Sequence, residues 1–238
     1  MLAIAATEHW HAEHAGATIG LLELSGLTNT GSSSRLDERK REIEAGLRDR
    51  YRGFTRPDFL ALPVMAEYDR YYTRFNKTYH VQLQLESIVL KGKRLPDVSP
   101  AVDANFMAEV ETLILTAGHD RQKLREPVVI DVSRDGESMT PMHGQARAIR
   151  SGDMIMRDAD GISCSIIYGQ DARSPISRET SRVLYVAYAP AGVPADVVER
   201  QLRSIEENVR LFSADVAVKQ RRLLTARPGS FAHERRSS

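Results

Sequence analysis

The order in which hydrophobic patterns follow one another constrains the fold of this chain more than any single motif does. A short apolar run, ATIGLLELSGL at 17–27, comes first and reads as a buried strand. A block of helical periodicity then occupies roughly 35–116. After it the texture changes to short β segments with tight Asp-Gly turns: PVVIDVS (127–133), QARAIR (145–150), MIMRD (154–158), ISCSIIYG (162–169) and RVLYVAYA (182–189). A helix over 194–211 and a closing strand over 215–224 finish the pattern. Strands and helices in blocks, without regular alternation, exclude a doubly wound parallel sheet. They predict an α+β fold of mixed helices with a largely antiparallel β meander.

Within the helical block, Leu36, Ile43, Leu47 and Tyr51 recur on one face of a helix over 35–51 with Ser34 as its cap, and Glu44 and Arg48 form an i, i+4 pair. Pro57 opens the next region, and Pro63 divides it into a short helix and a longer one. Tyr68, Tyr71, Tyr72 and Phe75 lie there at helical spacing, which assigns them to the core; interleaved with Arg70, Arg74 and Lys77 they also match a base-stacking surface, the second reading. Residues 78–90 fit strand alternation and helical spacing alike, and Gly92 as terminator favours a helix. Val198, Leu202, Ile205 and Val209 face inward from the last helix.

Composition narrows the classes. Cys164 is the single cysteine, so no intrachain disulfide can form, which fits a reducing cytoplasm; in an apolar strand it reads as an inert core thiol. No apolar run is long enough to span a bilayer, and no membrane partner is expected. The net charge of +1 is uneven: Lys219, Arg221, Arg222, Arg227, Arg235 and Arg236 against Glu234 leave an excess of five at the C-terminal end, hence about −4 elsewhere. The body is therefore not a basic nucleic-acid surface. His9, His11 and His14 lack the further ligand and rigid frame of a metal site. The expected organisation is a mobile segment at 1–16, one α+β domain at 17–224 and a disordered basic tail at 225–238.

The densest run of polar residues without an evident structural duty is ESIVLKGKRLPDVSPAVDANFMAEVETLILTAGHDRQKL (86–124). Ser99 and Pro100 read as cap and first position of a helix to about Thr116, with Gly118 ending it. Val102, Phe106, Val110 and Leu113 form its buried stripe, and Asn105, Glu109 and Thr112 line its edge. A basic turn, Lys91-Gly92-Lys93-Arg94, precedes Leu95-Pro96. Nothing in the chain reads as a metal motif, a nucleotide loop or a catalytic triad.

The run KGKRLPDVSPAVDANFMAEVETLILTAGHDRQKL resembles the B3/B4 domain of the bacterial phenylalanyl-tRNA synthetase β subunit, and is closer still to free-standing proteins made of that domain alone. DGESMTPM, RSGDMIMRDADGISCSIIYG and SPISRETSRVLYV follow in the family's order, so that the resemblance spans roughly 17–218. It implies a B3/B4-like fold and a domain that binds an aminoacyl group, either as a trans-acting editing hydrolase that deacylates mischarged tRNA by attack of water on the ester or as a non-catalytic amino-acid- or tRNA-binding module; no cofactor and no metal are expected. Carried onto this sequence, Glu109 and His119 are the catalytic candidates. Asn105, Asp120, Tyr168, Asp171, Arg173 and Thr180 are the substrate-binding ones, and Lys91, Lys93 and Arg94 the RNA-binding ones. The bland alternatives are that Thr180 caps a turn, Arg173 pairs with Asp171, and Asp120 caps the turn toward Leu124.

Two departures bear on the chemistry. The family's Pro-x-His segment places its histidine at Ala117, and its acidic residue in the later strand at Tyr185. If the acidic residue reads a tyrosine hydroxyl, this chain selects another amino acid or has lost editing. The readings are then, in order, a trans-acting hydrolase of aminoacyl-tRNA, a non-catalytic module binding an amino acid, nucleoside or tRNA, and an unrelated small-molecule enzyme on the same scaffold.

Overall fold

The computed structural model describes residues 2–31, 33–142 and 144–227. In chain order the strands are β1 (Ile4–Ala6), β2 (Thr18–Ser25), β3 (Thr116–Asp120), β4 (Val128–Val132), β5 (Ser138–Met139), β6 (Arg147–Ala148), β7 (Met154–Asp158), β8 (Gly161–Ser165), β9 (Gly169–Gln170), β10 (Arg182–Ala189) and β11 (Ala217–Thr225). The helices are α1 (Glu8–Glu13), α2 (Ser34–Arg50), α3 (Arg56–Leu60), α4 (Pro63–Thr73), α5 (His80–Val89), α6 (Pro100–Thr112) and α7 (Ala195–Arg210), with a 3-10 turn at Arg121–Lys123. One sheet runs β11-β2-β10-β3 and is antiparallel throughout. A second runs β1-β4-β7-β8-β9, parallel only between β1 and β4, and β5 pairs with β6 apart from both. The expected α+β class with a mainly antiparallel meander is the observed one.

The continuous apolar run of β2 is explained by its place between β11 and β10, with α7 packed across it. Gly20 makes that packing fit, since a Cβ there would lie 2.7 Å from Val198 Cγ1 and 3.2 Å from Leu202 Cδ1. The Arg182 to Ala189 strand has the expected bounds, and α3 and α4 divide at Pro63. The residues at 78–90 are helical as α5. Tyr68, Tyr71, Tyr72 and Phe75 are buried, which removes the base-stacking alternative.

Three expectations are corrected. The first 16 residues are not a loose segment: β1 joins β4, Thr7 accepts from the Trp10 backbone N–H to cap α1, and Trp10 is 0% exposed. Apolar anchors at Leu2, Ile4 and Trp10, too few for a periodicity to show, hold it down. Second, α6 stops at Thr112, because Leu113 turns left-handed (φ 66) and donates its N–H to the Glu109 carbonyl; Gly118 lies inside β3 instead of ending the helix. Third, Ser99 stands at the cap position without a capping bond from its side chain; Asn29 Oδ1 accepts from Ala101 N at 2.9 Å and Asp103 from Val98 N at 3.0 Å. Thr225 and Ala226 belong to β11 and the core edge, and the rest of the expected basic tail, 228–238, lies outside the described residues.

Candidate functional site

The left-handed turn at Leu113 folds β3 back along α6, and two side chains of α6 clasp the return. Asn105 Nδ2 donates to the Thr116 carbonyl at 3.0 Å, and Glu109 Oε1 accepts from Thr116 N at 2.7 Å. The junction is braced from behind by α4 and α5. Tyr68 and Tyr79 stack with ring centroids 4.1 Å apart; Tyr79 donates to the Leu113 carbonyl and Tyr68 accepts from Leu115 N.

In front of this clasp is a cavity of ≈ 390 Å³ bounded by α5, α6, β3 and the segment from Ser165 to Gln170. The volume suits one small ligand. Its walls are mostly apolar: Val102, Phe106, Leu115, Ala117, Ile166 and Ile176 among them. The polar lining is His80 and Gln84 from α5, Asn105 and Glu109 from α6, Thr116, Ser165 and Gln170. Among the described residues no lysine or arginine lines it. Asn105 Oδ1 is buried without a hydrogen-bond partner among the described residues, as is Gln84 Oε1. The first of these is oriented, because the Asn105 amide nitrogen is held by Thr116.

Burial shifts both titratable side chains of the described lining toward their neutral forms. Burial pushes the Glu109 carboxyl up to about 8, against bonds from Thr116 N and the Asn105 amide that favour its charged form. Burial also lowers His80 to about 4. Ser165 donates to Asp153, whose carboxyl burial raises to about 6 despite bonds from Ser165 and Tyr71.

The remaining expected site residues do not line this cavity. His119 is on β3 but 0% exposed, with Nδ1 2.8 Å from Ser174 Oγ, and burial lowers it to about 3. Asp120 caps the 3-10 turn through Gln122 N and accepts from Thr180 Oγ1 at 2.9 Å; Thr180 in turn accepts from Ser177 N. Asp171 pairs with Arg173 at 2.5 Å, and Arg173 also reaches Asp158 at 3.0 Å. Together these residues pin the segment from Asp171 to Thr180 against β3 and β8. Tyr168 packs with Met139, Ile149, Ile155 and Ile162 and accepts from Arg150 N at 3.3 Å. For Asp120, Arg173 and Thr180 the bland alternatives describe the observed contacts. Tyr185, at the family's acidic position, is fully buried and donates to the Ala101 carbonyl at 2.8 Å, so no charge stands there.

Lys91, Lys93 and Arg94 are exposed in the connection from α5 to α6 and enter no ion pair among the described residues. Arg94 borders a second, more open groove of ≈ 530 Å³, with Arg41 and Arg178 on its walls, and Val98 borders both groove and cavity. Within the groove Lys40 is already paired with Asp97 at 2.5 Å and Asp103 at 2.7 Å, and Glu44 accepts from Leu95 N. Its deeper polar groups are thus satisfied, unlike those of the cavity. Among the described residues no cluster of metal-ligating side chains occurs, and no helix is long and apolar enough to cross a membrane. Cys164 is buried with its thiol pushed up to about 12 by desolvation.

His80 and Gln84 are the functional candidates that reading the sequence missed. Their i, i+4 spacing puts them on one face of α5, beside the buried Val81 and Leu85. That signal was available but cannot say what the face meets. Ser165, Ile166 and Gln170 reach the cavity at the turn that divides the expected strand over 162–169 into β8 and β9.

The fold and cavity define an α+β protein with a mostly apolar, acceptor-bearing pocket beside a helix-to-strand clasp. The B3/4 domain model matches residues 67–218, more than half of the chain, and the protein belongs to that family. Among solved structures it is similar to an N-terminal fragment of the phenylalanyl-tRNA synthetase β-subunit from Pyrococcus horikoshii, at 7% identity and a TM-score of 0.47, covering 93% of this chain and 50% of that one. The chain thus spans about half the length of that structure. No curated protein sequence matches it.

Proposed function

We propose that the cavity receives the aminoacyl group of an ester and that the protein hydrolyses that ester, acting in trans on mischarged aminoacyl-tRNA. The observation that carries the reading is the cavity's polar set: an oriented acceptor at Asn105 Oδ1, a carboxyl at Glu109, and no lysine or arginine among the described residues. A free amino acid brings a carboxylate, and burying an unpaired carboxylate costs several kcal/mol or more. An ester has no such charge, while its ammonium group finds Asn105 Oδ1. The apolar walls then take the side chain. Lys91, Lys93 and Arg94 meet phosphates of the acceptor end in this reading, which is supported by their exposure on the connection that leads to Val98. Neither Ser nor Cys needs to act as nucleophile, since water attack requires only positioning and stabilisation of the developing oxyanion.

The second reading, a non-catalytic module for an aminoacyl or tRNA end, is favoured by one observation: Ala117 lines the cavity where the family pattern carries a histidine. Incubating the purified protein with a panel of correctly and wrongly charged tRNAs separates the two. The proposal expects selective loss of one aminoacyl ester, reduced by Asn105→Ala and unaffected by Lys77→Ala. A panel left intact, with ligand-induced stabilisation, establishes the binding module instead.

A further inference from the structure

Among the described residues two titratable side chains line the cavity, His80 and Glu109, and the hydrogen bonds around His80 fix its tautomer. The Tyr72 hydroxyl donates its single proton to the Ile166 carbonyl at 2.8 Å, since a carbonyl can only accept. The same hydroxyl lies 3.2 Å from His80 Nδ1. With its proton spent, it can only accept there, so Nδ1 carries the hydrogen. Nε2 is left with a bare lone pair on a ring that lines the cavity, and no described residue bonds to it.

We infer that His80 is the base of this cavity: its Nε2, held bare by the Tyr72–Ile166 relay, orients the attacking water and takes its proton. The inference rests on the ester-hydrolysis reading above. The proton bookkeeping closes. The water oxygen bonds to the ester carbonyl carbon as its proton passes to Nε2. The tetrahedral intermediate then expels the alcohol oxygen, which takes the proton from the imidazolium, leaving a carboxylic acid, an alcohol and the original imidazole. Burial keeps the ring neutral at physiological pH, so the lone pair is available. Tyr72, its phenol driven far above its ordinary range, keeps its proton. Glu109 is on the opposite side of the role: buried and protonated near neutral pH, with Oε1 already accepting from Thr116 N, it offers an O–H toward charge developing on the carbonyl oxygen. His80 stands on α5 and Ala117 on β3, so the imidazole that the family pattern puts on the strand is supplied in this cavity from a different element.

The test uses the full chain, the hydrolysed aminoacyl-tRNA from the panel, and the methyl ester and amide of the same amino acid. His80→Ala is expected to lower ester hydrolysis on the order of 10²-fold or more while leaving binding of the amide within about threefold. Added imidazole restores part of the lost rate in His80→Ala and none in wild type. Tyr72→Phe, which frees the tautomer, gives an intermediate loss that imidazole does not repair. Thermal melts of His80→Gln guard against unfolding as the cause. Hydrolysis at wild-type rate in both His80 variants overturns this inference alone, as does a loss that imidazole leaves untouched in a folded variant. Amide binding by wild type with no hydrolysis of any ester overturns it together with the hydrolytic reading.

Discussion

Replacing Glu109 by glutamine tests whether the carboxyl that clasps Thr116 is buried and neutral. Glutamine keeps an oxygen for Thr116 N and mimics the protonated acid in shape. The free carboxyl releases its proton near 4.5 in the unfolded chain and near 8 in the folded one. Between those values the folded state holds the proton that the unfolded state has lost, so stability falls as pH rises, by about 1.4 kcal/mol per pH unit. From pH 5 to pH 7 the wild type should therefore lose about 2.5 kcal/mol that the glutamine variant keeps. For a chain of this size that corresponds to a gap in Tm growing by about 5 to 10 °C. Subtracting the two melting curves across pH 5 to 8 cancels the other shifted groups, His14, His80, His119 and Asp153, which both proteins share. Curves that stay parallel over that range refute the reasoning: the carboxyl would then be hydrated and ionised in the folded protein.

Other consequences follow from single contacts. Gly118→Ala places a Cβ 2.7 Å from Ile176 Cδ1 and 3.2 Å from Tyr185, at the cavity wall, so it should cost about 1–3 kcal/mol in chemical denaturation and weaken binding of the amino-acid amide. Tyr71→Phe removes the hydroxyl that bonds both Asp153 and Met154 N and should cost about 1–3 kcal/mol by the same assay, with the cavity chemistry little changed. Reversing Lys91, Lys93 and Arg94 to glutamate should weaken capture of tRNA and flatten its salt dependence, measured by filter binding, while hydrolysis of the methyl ester is unchanged.

What could be read from the sequence, and what could not, follows the range of the interactions. The blocks of periodicity gave the class, and Tyr68 to Phe75 were assignable to the core because helical spacing is local. The clasp on α6 was half visible: Asn105 and Glu109 share an edge of the helix by spacing. Their partner was hidden, because the chain reverses at a left-handed Leu113, where no glycine marks the turn. Val102 and Phe106, read as a buried stripe, are half-buried and line the cavity, whereas Ala101, Ala104, Met107 and Ala108 carry the packing. His80, Gln84 and Ser165 share the cavity with Glu109 only through long-range packing of α5 and β8, which no local pattern records. The segment containing Asp171, Arg173 and Thr180 is rich in polar residues, and those residues bond mainly within it and to the strands beneath.

The central claim is that the cavity admits an amino acid only with its carboxyl masked. Isothermal titration of the purified protein with an amino-acid amide and with the corresponding free acid, for the amino acid selected in the deacylation panel, tests it most directly. The account predicts binding of the amide with the free acid weaker by about 100-fold or more, as expected for an unpaired buried carboxylate. Equal affinity for the two, or preference for the free acid, would contradict it.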